Sequence, residues 1–117
     1  MRIINTTRDR VLADRAQEAR TVGARMKGLL GRDGLEPGQA LLIRPCSSIH
    51  SFFMRFVFDA AFADARGEVL HVIHCMRPWR ISRIVPRAQV VIELPAGVLE
   101  QTGTRVGDRI RFERQVP

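Results

Sequence analysis

The sequence predicts an α+β domain built on a mainly antiparallel, strongly bent sheet or partial β-barrel, with one main helix over about residues 22–30 and one short helix over about 96–101. Three observations lead there. Short apolar or alternating runs recur between clusters of turn-forming residues, as strands do when short loops connect them. A single stretch, Val22, Met26, Leu29 and Leu30, repeats at the spacing of one helical face. The regular strand-helix rhythm of a parallel sheet is missing, which leaves seven or eight short strands to pair mostly with their neighbours.

Residues 2–6 and 9–14 alternate weakly around Thr7-Arg8-Asp9-Arg10, the pattern of two short strands or one bent hairpin. The helix that follows is capped by Thr21 and ended by Gly31, and Lys27 and Arg32 place positive charge at the negative end of its dipole. Three turn formers in Gly34-Leu35-Glu36-Pro37-Gly38-Gln39 make a loop. Ala40–Ile43 reads as a buried strand. If residues 52–58 are extended, Phe52, Met54, Phe56 and Phe58 share one wholly apolar face, and Phe53, Arg55, Val57 and Asp59 the other. Ala60–Asp64 and Val69–Cys75 form a hairpin across Ala65-Arg66-Gly67-Glu68, where Gly67 takes the positive-φ position. The Pro-containing segment Met76–Arg80 leaves the sheet, and Val90–Leu94 is a further strand. Pro95 then opens the short helix, and Gly103 stops it. A turn at Val106-Gly107-Asp108 leads into a last strand, Arg109–Arg114, with Ile110 and Phe112 inward.

A chain of 117 residues fits one domain, 1–117, and chains of this size bury roughly two-thirds of the surface that the unfolded chain exposes. The formal charge is +7, with Lys27 the only lysine among 19 basic residues. The arginines run from Arg2 to Arg114 without forming a block, so a basic nucleic-acid-binding function would require them to converge on one face of the fold. The opening residues carry no seven-residue apolar stretch of the kind a secretory signal needs, and no run is long enough to span a membrane. A cytoplasmic protein with Cys46 and Cys75 as free thiols is the expectation.

The chemistry-bearing residues concentrate in Pro45–Asp59, which sets a Cys, a His and an Asp beside the densest aromatic run. Cys46 and His50, with His71, His74 and Cys75 further on, supply the ligand types that suit zinc. In a regular strand, however, His74 and Cys75 point to opposite faces unless a bulge intervenes, as do His71 and His74, which leaves at most a site of Cys46, His50 and one strand residue; no metal or other cofactor is predicted. Cys46 and His50 also form a conceivable reactive pair, with Arg44 lowering the thiol pKa, although nothing in the sequence marks an oxyanion hole. Asp59 and Glu93 are acids beside strongly apolar strands. If buried, each needs a partner, and Arg55, on the predicted face of Asp59, and Arg80 are the natural ones; a structural ion-pair network, with Glu93 as a structural acid, is the leading reading and an acid-base pair the alternative. Pro78-Trp79-Arg80 presents a flat apolar face beside a charged fork.

Gly28-Leu29-Leu30-Gly31-Arg32, the run Cys46–Phe56, Asp59, Phe62, Asp64, Gly67, Pro78-Trp79-Arg80, Glu93-Leu94-Pro95-Ala96-Gly97 and Gly107-Asp108, in that order, resemble the domain-of-unknown-function 192 family over nearly the whole chain. The resemblance implies a small, mostly β domain without an assigned activity, in a family whose members often follow an export signal or lipid anchor. Many members have Trp-Met-Lys-Asn-Thr where this chain has Phe53-Met54-Arg55-Phe56-Val57, and a Pro where it has Val57. These departures remove an amide and a hydroxyl, and leave Asp59 and the glycine turns in register.

The leading functional reading is a binding module that takes a small ligand or a protein partner in a groove bordered by His50, Arg55, Asp59, Trp79 and Arg80. A small hydrolytic or metal-assisted enzyme using Cys46 and His50 with Asp59 is the first alternative. A basic nucleic-acid binder is the second.

Overall fold

The computed structural model describes residues 1–21 and 33–114. The helix expected over 22–30 lies outside the described residues. Those described form eight strands and one short helix: β1 (Arg2–Asn5), β2 (Arg10–Ala13), β3 (Arg15–Ala19), β4 (Gln39–Ile43), β5 (Phe58–Ala63), β6 (Val69–Met76), β7 (Val90–Pro95), α1 (Val98–Thr102) and β8 (Ile110–Glu113).

The strands make two sheets and do not close into a barrel: a three-stranded sheet in the order β2-β1-β8 and a five-stranded sheet in the order β3-β4-β7-β5-β6. The fold is therefore β-rich, and the partial barrel is replaced by two packed layers. Pairing is antiparallel except between β3 and β4, which run parallel. β1 and β2 form the expected hairpin, and β5 and β6 form another across Gly67 at φ 85°. β3, which sequence periodicity did not mark, starts one residue after β2, and the parallel pairing carries it from one sheet to the other.

Every residue of β5, Phe-Asp-Ala-Ala-Phe-Ala, is buried, because the five-stranded sheet is covered on both faces. Leu42, Ala61, Ala63, Ile92 and Leu94 face the smaller sheet and α1, packing with Ile3, Leu12, Leu99 and Ile110. Leu41, Ile43, Ala60, Phe62 and Val91 face the other way, onto Met76 at the end of β6 and onto Ile49, Met54, Phe56 and Val85 from the loops around residues 45–57 and 77–89. Alternate residues of each strand thus serve two separate cores. Pro95 closes β7 instead of opening the helix. α1 begins after Gly97 and ends at Gly103, both in the left-handed conformation that glycine adopts without a Cβ clash.

A buried polar knot ties the small sheet to the turn before β8. The Asn5 amide donates to Thr104 Oγ1 at 3.0 Å and to Asp108 Oδ2 at 2.9 Å. Asp108 Oδ2 also accepts from Arg8 Nε at 2.7 Å and from the Arg105 N–H at 3.2 Å. Burial pushes the Asp108 carboxyl upward, but the hydrogen bonds from Asn5, Arg8 and Arg105 and the Arg8 charge outweigh it and hold the group below its ordinary range. Asp64 is also lowered, since the amides of Glu68 and Arg66 and the charges of Arg109 and Arg87 outweigh its burial.

Two predictions follow from this architecture. A Cβ on Gly67 would stand 2.2 Å from the Ile110 carbonyl, whereas one on Gly107 would meet nothing within 4 Å. In denaturant titrations Gly67→Ala is expected to cost about 2–4 kcal/mol and Gly107→Ala only about 1 kcal/mol, the latter from its φ alone. Equal losses would sink the close-approach argument. For pH, a carboxyl held low in the folded state binds fewer protons there than when unfolded. Its stabilisation is therefore complete above a pH of about 4 and is lost as pH falls further. Asp108→Asn should be less stable at pH 7 and lose stability less steeply between pH of about 4 and 2; an unchanged acid limb would refute the assignment.

Candidate functional site

Two loops leave adjacent strands of the large sheet: one spans residues 44–57 and enters β5, and the other spans 77–89 and follows β6. They run antiparallel and are laced by backbone hydrogen bonds. Cys46 donates to the Gln89 carbonyl at 3.1 Å, Val85 to Ser47 at 2.8 Å, Ser82 to Ile49 at 2.8 Å and Ser51 to Arg80 at 2.8 Å. His50 and Ile81 form an isolated bridge in this ribbon.

Ser51 is its hub. The residue is fully buried; its hydroxyl donates to the Arg77 carbonyl and accepts from the Arg80 N–H at 2.9 Å. Its own carbonyl accepts from the Trp79 N–H at 3.0 Å and the Met54 N–H at 3.3 Å. One small side chain thereby satisfies the turn that a Pro-containing segment leaves open. Sequence reading did not single out Ser51, because a serine among aromatics looks like a loop residue until the second loop is placed against it.

The same ribbon holds aromatic rings outward. Residues 52–57 are not a strand; a turn at Phe52–Phe53 and a bend at Phe56 occupy the stretch before Phe58, and Phe53 adopts φ 67°. The expected alternation survives in part, with Met54, Phe56 and Phe58 buried and Phe53, Arg55 and Val57 exposed, but Phe52 turns to the surface and Asp59 to the interior. Trp79 adopts φ 62° and is 56% exposed, and Phe53 is 63% exposed. The two rings lie 4.7 Å apart between centroids; Phe52 is 6.0 Å from Trp79 and stacks on His50 at 4.8 Å. Ile81 and Ile84, at 72% and 71% exposed, extend the apolar surface along the second loop. Arg55, Arg77, Arg80, Arg83 and Arg87 are exposed on the two loops, and neither loop contains an acidic residue. That absence of acids was legible in the sequence, once the two loops are known to be neighbours.

Asp59 does not border this surface. It is fully buried at the start of β5, where Oδ1 accepts from the Cys75 N–H at 2.9 Å and Oδ2 from the N–H groups of Gly97 and Leu99 at 3.0 Å each. Backbone amides take the place that Arg55 and Arg80 were expected to fill, so no guanidinium has to be desolvated beside the carboxylate. Glu93 is also fully buried, in β7 between Leu41 and Ala60 of the flanking strands.

Cys46 donates its thiol to the Ser48 carbonyl at 3.0 Å, and His50 Nδ1 accepts from the Phe52 N–H at 3.2 Å; neither bond joins thiol to imidazole. Neither cysteine is joined in a disulfide. The β5–β6 register shifts between Phe58 and Ala60, and Cys75 turns to φ 55°, so His74 and Cys75 are both exposed where a regular strand would have separated them. Even so, among the described residues no three His, Cys, Asp or Glu side chains are grouped to hold a metal ion. No helix among those residues is long and apolar enough to cross a membrane. Replacing Asp59 by Asn removes the charge and one acceptor from three amide donors, so an expected loss of about 2–4 kcal/mol should appear as a lower urea midpoint. An unaltered midpoint would show that the carboxylate is dispensable.

The sequence profile of the DUF192 family, described as an uncharacterized ACR, matches residues 3–112. A UPF0127 protein of Thermococcus sibiricus is 32% identical over 115 residues, covering 95% of this chain and 74% of that protein. Two solved structures share the fold. A protein of unknown function from Novosphingobium aromaticivorans has a TM-score of 0.79 at 19% identity, covering 95% of this chain and 82% of its own. A chain from Sinorhizobium meliloti, described as a candidate transcription regulator, has a TM-score of 0.75 at 22% identity, covering 94% and 89%.

Proposed function

The chain belongs to the DUF192 family, and from that premise we propose that it is a binding domain which docks an acidic protein partner on the aromatic and arginine surface of its two laced loops. The observation that carries this reading is the pair Phe53 and Trp79. Both hold their backbone in the left-handed region, which is costly for a bulky residue, and both expose more than half of their surface. Folding gains from that arrangement only the contacts of the exposed rings with one another, whereas a partner that buries them gains their whole apolar surface.

Composition selects the partner. Exposed Trp, Phe and Arg are the residues that carry protein interfaces, and an acid-free rim favours acidic side chains opposite it. Exposed Ile81 and Ile84 argue for protein over single-stranded nucleic acid, because bases stack on flat rings and guanidinium planes and gain little from branched aliphatics. Of the groove residues read from the sequence, His50, Arg55, Trp79 and Arg80 belong to this reading, while Asp59 serves as the buried support beneath it.

The test is affinity capture from the native host with wild-type and Trp79→Ala protein, followed by titration of the captured partner. Trp79→Ala is expected to weaken binding on the order of 30-fold or more with little change in the unfolding midpoint. A partner held equally by both proteins would remove the loop surface from consideration.

A further inference from the structure

A second site lies at the start of the 44–57 loop, between residues of the large sheet and β8 of the small one. A cavity of about 420 Å³ opens there, floored by Val90, Ile110 and Phe112 and rimmed by Arg20, Arg44 and Arg66, with Asp64 in its wall. None of the exposed aromatic residues of the loop surface lines it.

Its polar groups are arranged in an unequal way. Arg44 lies over the Phe112 ring, 5.1 Å from its centroid, and its Nε is 2.9 Å from Glu18 Oε1. Stacking on the Phe112 ring sets the plane of the guanidinium; the contact with Glu18 at the buried Nε lacks the alignment of a hydrogen bond, and the two terminal nitrogens hydrogen-bond to no described residue. Arg20 reaches the other oxygen of Glu18 at 3.5 Å. The Arg66 guanidinium makes no ion pair or hydrogen bond with any described residue. Asp64, the one acid in the lining, turns Oδ1 onto the N–H groups of Arg66 and Glu68 at 2.9 Å each. Its charge is thus partly met by the backbone, and Arg87 and Arg109 flank it in the adjoining depression. Arg20 and Arg44 share the single Glu18 carboxylate, so the Arg66 guanidinium, the terminal nitrogens of Arg44 and an apolar, partly aromatic floor remain to meet a ligand.

We propose that this cleft binds a small organic anion, a carboxylate or phosphate carried on a planar or apolar body. The volume suits a small molecule, the floor receives its body against Val90, Ile110 and Phe112, and the pre-oriented Arg44 with Arg66 takes its charged head. The cleft lies at the base of the laced loops, which lend it Arg44, Pro45 and Gln89, and none of the exposed aromatic residues belongs to its lining.

Benzoate and phenyl phosphate are the probes, titrated into ¹⁵N-labelled full-length protein at constant ionic strength, with chloride and sulfate as controls. Saturable amide shifts are expected at Arg66, Gly67, Gln89 and Ile110, and the stronger probe identifies the head group. Arg44→Gln and Arg66→Gln should each weaken binding at least tenfold, and Trp79→Ala should leave it unchanged. Arg66→Gln keeps the test decisive if Arg44→Gln disturbs the fold, because the Arg66 side chain supports nothing else. No saturable shift with either probe, shifts centred on residues 50–53 and 79, or equal binding by the Arg66→Gln protein would each overturn the proposal.

Discussion

The carboxylate of Asp59 holds together the part of the fold on which the exposed loops depend. It is buried as the second residue of β5 and binds three backbone amides from two other elements, the end of β6 and the start of α1. The amide it takes from Cys75 lies where β6 bulges, and the loop that carries Trp79 begins directly afterwards. The loop that carries Phe53 enters β5 at Phe58, one residue before Asp59 itself. A single buried acid therefore fixes where both loops start, and Ser51 then fixes how they face each other. Backbone donors suit this task because they are rigid, already dehydrated by the fold, and would otherwise be left unpaired.

The rings of Phe53 and Trp79 are exposed because the interior below them is already full. Met54 and Phe56 alternate inward and pack on Phe58, Met76 and Val85, so the intervening side chains have no apolar space left to enter. Left-handed backbone at both ring positions makes the loops turn tightly enough to bring the rings within contact of each other. The same two-layer design creates the cleft at the base of the loops. Between the small sheet and the large one, Phe112 is only half covered, and arginines from β4's end, β3's end and the 64–67 turn occupy the gap.

Much of the fold was legible. The β1–β2 and β5–β6 hairpins, β4, β7 and β8 followed from alternation and turn chemistry, and Gly67 and Gly103 take the backbone conformations that their positions required. β3 was missed because Arg-Ala-Gln-Glu-Ala carries little apolar signal; its two alanines are buried by the parallel partner that follows later in the chain. The stretch before Phe58 alternates as an extended segment would, yet it is not a strand, because an alternation of buried and exposed residues arises equally from successive turns laid on a core.

For the candidate surface, the sequence by itself determined the residue types: aromatic rings and arginines without acids at 45–57 and 77–89, and one acid, Asp59, too close to apolar strands to remain solvated. Only the tertiary structure decided that these two stretches, separated by β5 and β6, form one face, and that Asp59 is satisfied by amides and not by arginines. The physical reason is that hydrogen-bond partners of a buried carboxylate, and neighbours across a pair of loops, are set by pairings between residues distant in the chain. Local periodicity records which side of an element is apolar, but not which other segment arrives to cover it.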